Sequence, residues 1–377
     1  MKIGFDAKRI VQNFTGLGNY SRYVVEGIAR FAPQTQCVLY APERRESRRL
    51  SLFEQACPRA QMITATGGLR SLWRVWGVTR RLQSDGIDLF HGLSNELPLN
   101  IHRARGVKSV VTIHDLIFLR YPECYKPIDR LIYTYKFRRA CRVADSIIAV
   151  SECTKRDIVK FFGIPEKKIT VIYQGCDPSF RSILTAEERT AVTSKLNLPK
   201  RYILNVGSIE ERKNVMLAVE ALPMITDSEV ALLIVGRHTP YALSVMQRAR
   251  ALGVEKRVVM RHDIAFAELP AVYQGAEAFV YPSRFEGFGI PILEALCSQV
   301  PVVAATGSCL EEAGGEGSLY VDADDSQALA KCLNNILGNE HLRREMVEKG
   351  LHHAAGFSAE TQTRQLIDLY QQILQQK

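Results

Sequence analysis

No apolar run in the sequence comes near the ~18 residues that a membrane-spanning helix requires, so no span is expected. The opening residues, Met1-Lys2-Ile3-Gly4-Phe5-Asp6, lack a long hydrophobic segment and a cleavage site, and do not read as a secretory signal. Cysteine is present but unpatterned. The nine cysteines (Cys37, Cys57, Cys124, Cys141, Cys153, Cys176, Cys297, Cys309 and Cys332) contain no C-x-x-C pair and are odd in number. A zinc site or a disulfide framework needs clustered or paired spacings, so reduced, buried thiols in a cytoplasmic protein are expected. A clustered acidic metal-binding motif is missing too, and so is any nucleic-acid recognition motif. The content of 46% hydrophobic and 24% charged residues excludes disordered, collagenous and low-complexity chains. A length of 377 residues points to two domains, three at most.

Charge is present in excess and unevenly shared. The net charge is +9. Residues 1–180 hold 29 Lys and Arg against 16 Asp and Glu, a surplus of 13 positive charges, whereas residues 181–377 hold 20 against 24. A basic half implies an anionic partner: a membrane surface, a phosphorylated lipid, an acidic glycan or a nucleic acid. Without a recognition motif, nucleic acid is not expected.

Short β-branched runs alternate with helical stretches. The first half has them at 2–5, 37–40, 87–91, 109–114, 146–150 and 169–172; the second has them at 202–207, 230–236, 258–261, 278–282, 300–304 and 318–321. Runs such as Ser-Val-Val-Thr-Ile-His do not alternate polar with apolar residues, as befits strands buried on both faces. Strands alternating with helices form parallel sheets. The expected fold is therefore α/β, with two Rossmann-like, doubly wound parallel-sheet domains facing an interdomain cleft. The expected divisions are a first domain over 1–180, a charged linker over 181–199, a second domain over 200–357 and a C-terminal helix over 358–377. Apolar positions at Leu366, Leu369, Tyr370, Ile373 and Leu374 make that last helix amphipathic, so it must bury one face.

Four constellations carry chemistry. Thr15-Gly16-Leu17-Gly18-Asn19-Tyr20 follows the first strand and opens a helix. Glycines there let backbone N–H groups approach an anion at a helix N-terminus, or simply form a tight turn. The third glycine of a dinucleotide fingerprint is absent, and so is the Gly-Lys-Ser/Thr of a P-loop. His91 and His114-Asp115 end two strands, where ligands of open α/β sheets gather. His91 reads as a buried, satisfied histidine, and His114 as a functional one. Third, Gly207-Ser-Ile-Glu-Glu-Arg212-Lys213-Asn214 places two adjacent cations after a strand–glycine turn. They form either a diphosphate clamp or a solvated pair. Fourth, Tyr281-Pro-Ser-Arg-Phe-Glu286-Gly-Phe288-Gly289-Ile-Pro-Ile-Leu-Glu294-Ala-Leu sets two carboxylates eight positions apart across a glycine-rich loop and the helix after it. Such a pair can serve two ends of one extended ligand, with loop N–H groups facing phosphates.

Together these residues resemble retaining nucleotide-sugar glycosyltransferases of the two-Rossmann GT-B architecture, family 4, whose hallmark is E-x7-E, here Glu286 to Glu294. Val150-Ser-Glu-Cys-Thr-Lys-Arg-Asp157 and Tyr173-Gln-Gly-Cys-Asp-Pro-Ser-Phe180 are similar as well, so the resemblance runs along almost the whole chain. It implies that Gly16, Gly18 and Gly207 lie in the donor site. It implies that Arg212 and Lys213 hold the diphosphate, and that Glu286 binds sugar hydroxyls with help from N–H groups near Phe288 and Gly289. Glu294 would accept bonds from the ribose, and His114 would sit by the reacting sugar. The C-terminal helix would return to the first domain. The implied reaction retains anomeric configuration and needs no metal or other cofactor. The nucleotide leaves from the face that the acceptor attacks, and its phosphate takes the acceptor's proton.

Three positions depart from the family pattern: His262 and Gln299 stand where glycine is usual, and Thr306-Gly-Ser-Cys-Leu-Glu-Glu312 alters a Leu-Pro-Glu. The stretch Ile113-His-Asp-Leu-Ile-Phe-Leu-Arg-Tyr-Pro-Glu123 looks like mannosyltransferases of surface polysaccharides, which makes GDP-mannose the expected donor and a glycan or lipid-linked molecule the acceptor. The segment Leu69-Arg-Ser-Leu-Trp73-Arg-Val-Trp76-Gly-Val-Thr-Arg80-Arg81 sets both tryptophans on one helical face beside arginines. It is either a core helix or a contact to the anionic inner face of a membrane. A nucleotide-sugar epimerase or hydrolase, or a non-catalytic nucleotide-sugar-binding protein, is the alternative to transfer.

Overall fold

The computed structural model describes residues 1–13, 15–65, 67 and 70–376. Apolar runs without polar alternation need cover on both faces, which a parallel sheet between helix layers provides. The first series forms a seven-stranded sheet of β1 (Lys2–Asp6), β2 (Gln36–Ala41), β3 (Gln61–Thr64), β4 (Leu89–Gly92), β5 (Lys108–Ile113), β6 (Ser146–Ala149) and β7 (Ile169–Val171). Its order is β3-β2-β1-β4-β5-β6-β7, with every pairing parallel. The second series forms a six-stranded sheet of β8 (Tyr202–Val206), β9 (Ala231–Val235), β10 (Val258–Arg261), β11 (Ala278–Tyr281), β12 (Val302–Ala305) and β13 (Leu319–Val321). Its order is β10-β9-β8-β11-β12-β13, again all parallel. All twelve expected strands are present, with ends shifted by a residue or two. Strand β3 was not expected: Gln-Met-Ile-Thr is a short, half-buried edge strand with two apolar residues.

The chain forms two compact units, Met1–Gln174 with Ala359–Lys377, and Gly175–Ser358. The division thus falls before the expected boundary at 180, and the segment 181–199 is no linker. Phe180 is fully buried, with its ring 5.4 Å from Tyr273 and 5.9 Å from Phe266. Arg181 donates to the Ala354 carbonyl at 2.8 Å. The helix Ala186–Lys195 that follows starts from a capping box of Thr185 and Glu188. Its polar surface mimics a linker in composition, but its flanks are anchored in the second unit.

The helix Ala359–Gln375 packs in the first unit. Leu366, Ile367, Leu369, Tyr370 and Ile373 share one core with Ile3, Phe5, Val25 and Ile28. Gly27 makes room for it, since a Cβ there would lie 2.3 Å from Thr363 Oγ1.

In each sheet the strand order reverses beside the first strand, between β1 and β4 and between β8 and β11. At such a reversal the following loops diverge, leaving a crevice beyond the carboxyl ends of the strands. In the second unit this brings the loop after β8 beside the loop after β11.

Candidate active site

Those two loops are bound to each other. The Arg284 N–H donates to the Arg212 carbonyl at 3.0 Å. Asn214, in the left-handed region at φ 55°, donates its side-chain amide to the carbonyls of Pro282 (3.1 Å) and Ala323 (2.7 Å). Glycine is required at two turns here. Gly207 has φ 156°, and its carbonyl would lie 1.8 Å from a Cβ on Gly236, so the β8 and β9 ends meet backbone to backbone. Gly289, at φ 136°, precedes the helix Ile290–Cys297 and leaves no free volume for a side chain, since a Cβ would stand 3.1 Å from Ala313.

This frame holds a compact charged cluster. Lys213 Nζ lies 2.6 Å from Glu286 Oε1 and Arg212 Nη1 lies 3.1 Å from it, with all three side chains less than one-fifth exposed. Lys213 also donates to the Tyr281 hydroxyl at 2.7 Å, and Arg212 to the Phe285 carbonyl. Glu286 Oε1 accepts from the Ser283 hydroxyl at 2.6 Å and from the Tyr281 hydroxyl at 3.2 Å. Burial alone would raise the Glu286 carboxyl, but Lys213 and Arg212, with the bonds from Lys213 and Ser283, hold it at about 2. Burial would likewise lower Lys213, and Glu286 outweighs it, so the ammonium stays charged. Two cations and one carboxylate leave one net positive charge, fixed in place at the switch point. Such a group is suited to an anionic ligand that brings its own hydroxyls.

Glu294 stands in a different environment one helix further on. Its Oε2 accepts from the Tyr273 hydroxyl at 2.8 Å. Burial, with a smaller contribution from Asp177, raises its carboxyl to about 7 against the lowering effect of Tyr273. The two carboxylates of the E-x7-E spacing are thus separated in charge state: Glu286 is fixed as an anion, and Glu294 titrates near neutrality. Phe288 is buried, its ring 5.6 Å from Phe357, so its side chain belongs to the core of the second unit. The Cys309 thiol donates to the carbonyls of Glu286 (3.0 Å) and Phe288 (2.8 Å), so the altered 306–312 loop supports the Glu286 loop. His262 is exposed, with Nδ1 2.7 Å from the Gly236 carbonyl and its ring edge-on to His238 at 5.0 Å. Gln299 occupies a left-handed conformation at φ 63°, where glycine is easier to accommodate.

The remaining expected residues lie in the first unit. Gly16 and Gly18 open the helix Gly16–Phe31. A Cβ on Gly18 would fall 1.9 Å from the Asn13 carbonyl oxygen, so its glycine has a packing reason, whereas Gly16 faces open space. His114 follows β5 and is 7% exposed. Its Nε2–H donates to the Leu93 carbonyl at 2.9 Å, which leaves Nδ1 to accept from Gln174 at 3.1 Å. Burial, opposed by the Leu93 bond, pushes it down to about 4, so the imidazole is neutral at physiological pH. His91 is the buried, satisfied histidine expected, bonded to Tyr370 (2.6 Å) and Thr112 (2.8 Å). Of the tryptophan segment, Leu69 lies outside the described residues. Trp73 packs 6.4 Å from Tyr40, and Trp76 is half exposed. The two do not share one outer face, because Trp73–Gly77 winds as a π-helix, wider than the α-helix on which that face was reckoned. Arg74 turns inward to Asp6 (2.6 Å) and Glu96 (2.9 Å).

Sequence reasoning missed Tyr281 and Ser283 as partners of Glu286, although both stand in the same motif within five residues of it. Tyr273 carries no local signal, and Asn214 and Gln174 stand within the quoted motifs but take their roles from tertiary contacts.

Two doubly wound parallel sheets in one chain, the second with a cation–carboxylate cluster at its switch point, define a protein of the GT-B class. A model described as Glycosyltransferase Family 4 matches residues 14–180, and one described as Glycosyl transferases group 1 matches 187–353. The O-antigen chain mannosyltransferase B of Escherichia coli is 29% identical over 98% of this chain and 99% of its own length. The O-antigen chain mannosyltransferase RfbU of Salmonella typhimurium is 29% identical over 60% of each chain. A glycosyltransferase from Rickettsia africae matches the fold with a TM-score of 0.80 at 16% identity, over 100% of this chain and 99% of that one. Anabaena Alr3699/HepE, solved with UDP and glucose, gives 0.78 at 19% identity, over 99% and 100%. The chain belongs to the family 4 glycosyltransferases.

Proposed function

We propose that this glycosyltransferase moves mannose from GDP-mannose to a glycan or lipid-linked acceptor in surface polysaccharide synthesis, with retention at the anomeric carbon and without a metal ion. The observation that carries the reading is the Arg212–Lys213–Glu286 cluster at the switch point of the second unit. Similarity to the two O-antigen mannosyltransferases supports the sugar and the acceptor class.

In this reading Arg212 and Lys213 meet the diphosphate oxygens and stabilise the charge that grows there as the anomeric C–O bond breaks. Paired cations supply what a divalent ion supplies in other transferases. Glu286 gives up part of its bonding to the cations and accepts from mannose hydroxyls. Glu294 accepts from the ribose diol. Gly16, Gly207 and the backbone at Phe288 and Gly289 line the donor. His114 lies beside the sugar as a neutral group. The acceptor oxygen forms its bond to the anomeric carbon on the face that the phosphate leaves, and the acceptor's proton passes to that phosphate.

Mass-spectrometric screening of GDP-, UDP- and ADP-sugars for binding and slow hydrolysis tests the donor. GDP-mannose is expected to be consumed fastest, with α-mannose as the first product by NMR and with the rate unchanged in EDTA. Release of an epimer, preference for a UDP- or ADP-sugar, a β-anomer or abolition by EDTA would each contradict the corresponding part.

A further inference from the structure

The helix Pro127–Val143 in the first unit has two unlike faces. Its inner face is anchored: Phe118 meets Phe137 at 5.3 Å and Tyr133 at 5.8 Å, and Ala140 and Cys141 are buried. Its outer face is apolar where water should be. Ile128, Leu131, Ile132 and Tyr135 are 60, 68, 42 and 60% exposed. They fall at i, i+3, i+4 and i+7, one continuous stripe. They are four of the eleven exposed large apolar side chains among the described residues, so the exposure is concentrated here rather than scattered.

The stripe continues into cations. Leu131 and Tyr135 line a surface groove of about 390 Å³ together with Arg138, Arg139 and Arg142. Arg142 is exposed, whereas Arg139 donates to the Leu99 carbonyl and Arg138 to the Phe161 carbonyl at 3.2 Å, so both are half-buried at the groove's edge. The helix carries five Lys and Arg against a single Asp. Apolar side chains beside arginines on a helix held flat against its own domain suit the boundary of an anionic bilayer, where alkyl groups enter the acyl region and guanidinium groups meet phosphates. A second copy of the chain docking face to face would instead bring the same cations together.

We propose that the outer face of Pro127–Val143 is the surface by which this protein docks on an anionic phospholipid membrane. The inference deepens the proposal of a lipid-linked acceptor. It also moves the expected membrane contact away from the Trp73–Arg81 segment, where Trp76 is the one exposed tryptophan of the two.

Co-sedimentation of the full chain with phosphatidylcholine vesicles, with and without phosphatidylglycerol, tests it in the absence of donor and acceptor. Its failure is therefore distinguishable from failure of the transfer reading. Wild type is expected to bind only the phosphatidylglycerol vesicles at low salt. The double variant L131E/Y135E should bind at least about tenfold more weakly and R142E several-fold more weakly, both with native circular dichroism and unchanged slow hydrolysis of donor. W76S should bind as wild type. Absence of wild-type binding at low salt would overturn the proposal. So would undiminished binding by L131E/Y135E, loss of binding by W76S alone, or a wild-type dimer that L131E/Y135E dissociates.

Discussion

At the scale of the residue, Glu286 and Glu294 show how one spacing yields two chemistries. Glu286 is held at about 2 against an ordinary 4.5, so its ion pairs add stability above about pH 4.5 and lose it as pH falls towards 2. Across the neutral range the cluster does not titrate. Lys213→Ala removes one cation from Glu286 and, in the proposed mechanism, from the leaving group. Steady-state transfer is expected to fall by about 10²–10³-fold with thermal unfolding still cooperative; near-normal turnover would remove Lys213 from the assignment. Glu286→Gln keeps the shape and an oxygen that can accept from Lys213. It is a better test of that carboxylate's charge than alanine, which leaves the recessed Lys213 with neither counter-charge nor that acceptor, a loss of about 3–5 kcal/mol. Glu294 behaves oppositely. Its folded value of about 7 is raised, so its contribution to stability is complete below about 4.5 and is lost as pH rises through 7. An ionised Glu294 accepts hydrogen bonds better than a neutral one. GDP affinity measured by calorimetry should therefore increase as pH rises through about 7, and Glu294→Gln should flatten that profile. An identical slope in the variant would assign the titration elsewhere.

At the scale of the element, the helix Gly16–Phe31 carries a test that separates packing from binding. Gly18→Ala drives a Cβ into the Asn13 carbonyl, and overpacking of this kind costs about 1–3 kcal/mol in urea unfolding. Gly16→Ala points into open space and should leave stability within about 0.5 kcal/mol. Any loss of donor affinity in Gly16→Ala then reports on the ligand alone. Equal destabilisation by both would contradict this division. The elements themselves were largely legible in the sequence. Runs such as Val-Val-Thr-Ile and Leu-Leu-Ile-Val have no polar face, which leaves a buried parallel strand as the economical reading. Strand β3 escaped because an edge strand needs little apolar content. The π-helical turn at Trp73–Gly77 escaped because side-chain spacing is read on an assumed α-helical pitch.

At the scale of the molecule, the number of units was legible and their border was not. Two strand series announce two sheets. Where one unit ends depends on what Phe180 packs against, and its partners Tyr273 and Phe266 lie about ninety residues away. The charged cluster was legible in its members, because cations after one strand and a carboxylate after another meet wherever their strands are neighbours at a switch point. Its inner partners were not, since Tyr281 and Ser283 gain a role only once Glu286 turns back onto them. The central claim joins these scales: the loops after β8 and β11 make one site for a sugar diphosphate. A crystal structure of the protein with GDP-mannose bound tests it most directly. Diphosphate oxygens within hydrogen-bond distance of Arg212 and Lys213, with mannose hydroxyls on Glu286, are the expected result; a donor bound away from all three would contradict the account.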